Sequence, residues 1–94
     1  MKIDDKLAKI GFEKISEDAR RVHYNRYESK HDYYHSVVIE RRQVWNEFRL
    51  QSYDDELLDR KGVGNTNVAL STYEVRLFLE KMQQKEIEYA RNRT

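Results

Sequence analysis

The chain reads as an α+β domain: a short N-terminal helix, a four-stranded antiparallel meander, and a C-terminal amphipathic helix packed on one sheet face. Three observations carry this expectation. Ile3, Leu7 and Ile10 fall at i, i+4 and i+7 and are followed by Gly11, the spacing of one helical stripe and its left-handed cap. Across the middle third, apolar and polar side chains alternate, as half-buried strands require. Beyond Ser71, apolar residues return at spacings of three and four, which is helical again.

The first helix covers residues 3–10. Strands are expected at Phe12–Ile15, Val22–Glu28, Tyr34–Arg41 and Glu47–Tyr53, segments rich in Val, Ile, Tyr and Phe, residues that suit a pleated surface. Val22 and Tyr24 oppose Arg21, His23 and Asn25. Val37 and Ile39 oppose Ser36, Val38 and Glu40, and Phe48 and Leu50 oppose Glu47, Arg49 and Gln51. One covered face and one wet face follow. The polar connectors are SEDAR, SKHD and RRQVWN. The last has no glycine-rich turn signal, so the register of the third and fourth strands is left open. Residues 54–60, DDELLDR, fit either a helical turn or a strand end.

Ser71 and Glu74 stand at capping-box spacing, and Val75, Phe78, Leu79 and Met82 supply the stripe of the final helix. Residues 83–94, QQKEIEYARNRT, are mostly polar or charged and are expected to fray or project as a helical tail. The predicted core is Ile3, Leu7, Ile10, Phe12, Val22, Tyr24, Val37, Ile39, Phe48, Leu50, Val75, Phe78, Leu79 and Met82.

Ninety-four residues make a single domain, 1–94, able to bury one modest core. Hydrophobic residues are 38% and charged residues 37%, so the surface is heavily charged. Aromatic residues at 12% argue against disorder. Cysteine is absent, which removes disulfides, thiolate metal sites and cysteine nucleophiles and agrees with a reducing compartment. No apolar run approaches the roughly 20 residues of a membrane span, and the first residues lack a secretory pattern.

The stretch GVGNT before Ser71 resembles a phosphate loop only in its two glycines. A P-loop needs a lysine and a hydroxyl after them, whereas Lys61 precedes them; turn chemistry leading to a helix cap is the expectation. His31 and His35 are four apart, with Asp32 between, but they lie on a strand entry where four residues span about 13 Å. No metal set is expected. His23 with a serine and a carboxylate would be the ingredients of a nucleophilic site, yet no serine sits in a strained glycine elbow. No catalytic residue and no cofactor are expected, and the chain reads as non-enzymatic.

Charge is uneven. Residues 19–49 hold seven Lys/Arg against four acids, and residues 50–88 hold eight acids against five bases. The basic half also carries Tyr24, Tyr27, Tyr33, Tyr34 and Trp45. Tyr, Trp and Arg are favoured protein-interface anchors, so Tyr27, Tyr34, Trp45, Arg49, Arg41 and Arg42 are the candidate partner-binding residues, expected to present an exposed Tyr/Trp/Arg surface on the uncovered sheet face or an edge strand. The same chemistry suits single-stranded nucleic acid, with Arg20, Arg21, Arg41 and Arg42 as phosphate contacts. An excess of three charges neutralises too few phosphates for tight binding, so a protein partner is preferred and nucleic acid is the weaker alternative. Self-association, as a homodimer through edge strands or the last helix, is the third.

The runs IDDKLAKIGFEKISED, RYE and LQSYDDELLDRKGVGNTNVALSTYEVRLFLEKM resemble small uncharacterised proteins encoded in phages and prophages of Gram-positive bacteria. The resemblance covers roughly residues 3–82, and residues 83–94 depart from it. Its motifs are scaffold elements, so it carries no activity, cofactor or catalytic residue. It implies a context: a small early or accessory phage product in a bacterial cytoplasm.

Overall fold

A computed structural model describes residues 1–55 and 67–92. Helix α1 (Ile3–Lys9) carries Asp4 and Asp5 in its first turn, where carboxylates suit the positive helix end. It closes in a Schellman arrangement. Gly11 N–H donates to the Ala8 carbonyl at 3.0 Å and Phe12 N–H to that of Leu7 at 3.0 Å. Gly11 has φ 94°, and a Cβ there would lie 2.9 Å from Arg26 Cδ. Both conformation and space therefore demand glycine.

The sheet is the expected meander: β1 (Glu13–Glu17), β2 (Arg21–Glu28), β3 (Tyr33–Glu40) and β4 (Arg49–Asp54), hydrogen-bonded antiparallel in the order β1-β2-β3-β4. Val22 faces Ile39 and Tyr24 faces Val37, and on the next pair Ile39 faces Leu50, which settles the register of the last two strands. A bulge lies between Lys14 and Ser16. The last strand begins at Arg49 rather than Glu47, because residues 41–48 form an irregular connector.

Helix α2 (Thr72–Asn92) is the final element. Its capping box is formed: Ser71 N–H donates to Glu74 Oε1 at 2.7 Å, and Glu74 N–H to Ser71 Oγ at 3.1 Å. Both helices lie on one face of the sheet. Ile3 and Leu7 from α1, and Leu77 and Phe78 from α2, pack with Phe12, Val22, Tyr24, Val37, Ile39 and Phe48. Phe78 meets the rings of Phe12 and Tyr24 edge-on.

The stripe of α2 is rotated from its expected position. Leu79 is 46% exposed and Val75 only half-buried, while Leu77, Lys81 and Lys85 are buried. Lysine stems cover the core here, and their ammonium groups reach acids beyond it. Lys81 Nζ lies 3.3 Å from Asp4 and 3.1 Å from Glu17, and Lys85 Nζ lies 3.1 Å from Glu17 and donates to the Asp18 carbonyl at 2.8 Å. Residues 83–92, expected to fray or project, continue the helix. Tyr89 packs edge-on against Phe48 at 5.9 Å. Ile10, Leu50 and Met82 are partly buried against the core, joined by Leu70 and Tyr89.

Candidate functional site

The opposite sheet face carries Arg21, His23, Asn25 and Tyr27 from β2, Tyr34, Ser36, Val38 and Glu40 from β3, and Arg49, Gln51 and Tyr53 from β4. The expectation of a uniformly wet face needs correction. Val38 and Ser36 are buried and His23 is half-buried. The centre of this face is a polar cluster. Ser36 Oγ donates to Asp55 Oδ2 at 2.7 Å and lies 3.0 Å from His23 Nε2.

Those three residues are the ingredients of a nucleophilic site in the wrong order. The single serine proton is committed to Asp55, so His23 must donate through Nε2 rather than accept. In a working triad histidine stands between the other two and takes the serine proton. Burial, then the Arg21 charge, holds His23 below its usual pKa.

The six candidate contact residues are not brought together as one patch. Tyr27 and Tyr34 are about half exposed and face each other across β2 and β3, with ring centroids 5.2 Å apart. The Tyr27 hydroxyl bonds Asp32 in the hairpin turn. Trp45 stands at the other end of the face, in the β3–β4 connector. The residues from Tyr34 to Glu40 put roughly 20 Å between the two ends.

At the Trp45 end the geometry is closer. The guanidinium carbons of Arg49 and Arg42 lie 4.4 Å and 5.1 Å from the Trp45 ring centroid, within cation–π range. Among the described residues, Val44 beside it is the most exposed of the large apolar side chains. Arg42 also pairs with Glu40 at 3.2 Å, and Arg21 reaches the same carboxylate at 3.7 Å. Arg41 turns toward the helix face instead. Its guanidinium carbon lies 4.5 Å from the Tyr89 ring centroid, and Nη1 is 3.7 Å from Glu86 Oε2. Glu86 in turn accepts the Phe48 N–H at 2.8 Å.

Arg20, Arg41 and Arg42, with Gln43, Trp45, Asn46 and Tyr89, bound a cavity of about 260 Å³. Sequence reasoning named all three arginines and Trp45 but not the cavity. Its walls come from the β1–β2 turn, the connector and α2, and no local spacing signals that convergence.

The histidine–aspartate group does not converge on a metal. His35 points into the helix face and is buried, whereas Asp32 sits in the turn with φ 53°. Among the described residues no group of three potential ligands is found. The GVGNT loop lies outside the described residues, as do residues 56–60 of DDELLDR.

A second titratable cluster was missed entirely: Asp4, Lys14, Glu17, Tyr24, Lys81 and Lys85, joining α1, β1, β2 and α2. Burial alone would raise Glu17, but Lys14, Lys81 and Lys85 hold its carboxyl below the usual range. Burial likewise opposes the shift of Asp4, which Tyr24, Lys14 and Lys81 hold low. Burial and the bond to Asp4 push the Tyr24 phenol far up. Every polar group in the cluster has a partner, so it reads as a structural tie.

Among the described residues no helix is long and apolar enough to cross a membrane. Comparison with known proteins found no matching family model, curated protein or solved structure.

Proposed function

We propose that the chain is a small non-enzymatic binding module, a phage or prophage accessory protein of the bacterial cytoplasm, that engages an acidic surface of a protein partner through Arg42, Trp45 and Arg49. The observation that carries this reading is the Trp45 ring with two guanidinium groups held against it beside the protruding Val44. An aromatic anchor within a rim of arginine is the residue chemistry of interface hot spots. The phage context rests on the resemblance over residues 3–82.

Two features favour a protein over nucleic acid. The cations of the basic half are partly neutralised within the chain, Arg21 and Arg42 by Glu40 and Arg41 by Glu86. Arg20, Arg41 and Arg42 also surround a cavity rather than track along a groove as a strand binder needs. Self-pairing through β1 is disfavoured by its bulge and by Glu13, Lys14 and Glu17 along it, features that protect sheet edges. Tyr27 and Tyr34, at the far end, are left outside the proposed contact.

Affinity purification from a bacterial lysate tests this. The native chain should recover one dominant partner with an acidic surface. Trp45→Ala with Arg49→Ala should abolish recovery, and Tyr27→Ala with Tyr34→Ala should retain it. A complex that persists in the first variant, with its unfolding midpoint unchanged, overturns the reading.

A further inference from the structure

We propose that the cavity between Arg20, Arg41, Arg42, Trp45 and Tyr89 binds a phosphate monoester carried by the partner polypeptide. This inference rests on the protein-binding reading above and names the group recognised.

The cavity is held open by structure rather than by chance rotamers. Arg41 N–H donates to the Arg20 carbonyl at 2.8 Å, which ties the β1–β2 turn to the connector. The Arg41 guanidinium stacks on Tyr89, which fixes the connector on α2. Arg41 is thereby largely buried, whereas Arg42 and Arg20 stand at the exposed mouth. One wall is deep, and at the mouth Arg20 has no carboxylate among the described residues while Arg42 is held by Glu40 and Trp45.

The arginines are under-used. Each guanidinium offers five N–H donors. Glu40 Oε1 lies 3.2 Å from both Nε and Nη2 of Arg42, and Glu86 approaches Arg41 at 3.7 Å, each longer than the roughly 2.7–2.9 Å of a tight charge-assisted bond. Among the described residues Arg20 has no carboxylate partner; its backbone N–H meets Asp18. A surplus of donors and positive charge surrounds the space.

That surplus selects the ligand. A carboxylate would exchange Glu40 or Glu86 for a group of the same charge and the same two oxygens. A phosphate monoester brings a charge of about −1.5 to −2 and three acceptor oxygens, enough to engage more than one guanidinium at once. The cavity of about 260 Å³ also exceeds a bare phosphate, which leaves room for the ester linkage.

Trp45 is the only tryptophan in the chain and lines the cavity, so its emission reports occupancy. At constant ionic strength, phenyl phosphate should shift that emission saturably, and benzoate should bind at least about tenfold more weakly, the worth of one charged hydrogen bond. Arg20→Gln with Arg42→Gln should weaken phenyl phosphate about tenfold or more at an unchanged unfolding midpoint. Glu40→Gln, which frees Arg42, should tighten it. In the lysate, phosphatase treatment should abolish partner recovery.

Equal affinity for benzoate, no loss in the arginine variant, or tighter binding of an oligothymidine lacking a terminal phosphate each overturns the inference. A partner recovered equally after phosphatase treatment overturns it while leaving the protein-binding reading standing. Saturable phenyl phosphate binding with no partner recovered overturns the protein source and the protein-binding reading, and makes the cavity a site for a free phosphate ester.

Discussion

His35 shows how much one side chain is constrained. Ser52 Oγ donates its only proton to the Val68 carbonyl at 2.8 Å, so the 2.6 Å contact with His35 Nε2 requires the ring to donate there. Nδ1 is then an unprotonated nitrogen, buried and without a hydrogen-bond partner among the described residues, 3.6 Å from Glu28 Oε1. Burial and then the Arg26 charge hold the folded pKa below 6.5, against the pull of Glu28 and Glu74. The unfolded ring therefore binds a proton first as pH falls, and stability is lost from about 6.5 downward through the folded pKa. His23 acts in the same direction. Urea midpoints should drop between pH 7.5 and 5.5, and His35→Gln should flatten that drop; a midpoint unchanged or higher at pH 5.5 contradicts the assignment. Phe78 is the matching apolar case. It is fully buried between two rings, so Phe78→Ala should cost about 3–5 kcal/mol in an unfolding curve, and a loss below about 1 kcal/mol would contradict its placement.

At the scale of elements, α2 separates what the sequence makes legible from what it hides. Apolarity alone selects Val75, Phe78, Leu79 and Met82, yet the helix turns Leu79 outward. The cause is that Lys81 and Lys85 behave as apolar stems with distant acceptors, and their acceptors Asp4 and Glu17 lie more than sixty residues away. Lys85→Met keeps the stem but strands the Asp18 carbonyl, and should cost about 1–3 kcal/mol in chemical unfolding. Leu79→Gln should stay within about 0.5 kcal/mol. The reverse order would restore the expected stripe. The strands were legible because alternation survives wherever one face is buried, and Gly11 and Ser71–Glu74 because caps are local chemistry. The Glu17 tie also predicts acid sensitivity: its carboxyl is held below 4.5, so its contribution is complete above that value and is lost as pH falls through the folded pKa. Glu17→Gln should make the unfolding midpoint less dependent on pH below about 4.5.

For the whole molecule, the two ends of the open sheet face divide the aromatic and basic residues that composition grouped as one. The strand pattern placed Tyr27, Tyr34 and Arg49 on that face correctly, but the burial of Ser36 and Val38 interrupts it. The convergence of Arg20, Arg41 and Tyr89 depends on how a turn, a connector and a helix meet, which no single segment encodes. What remains is a polarised molecule: a tyrosine pair at the hairpin end and a cation-lined tryptophan at the connector end. Backbone amide chemical shifts of the labelled chain, recorded as purified partner is added, test this polarity most directly. Changes should gather at residues 20–22 and 41–49 and at Tyr89. Changes centred on Tyr27, Tyr34 and the hairpin turn, or along β1, would contradict the account.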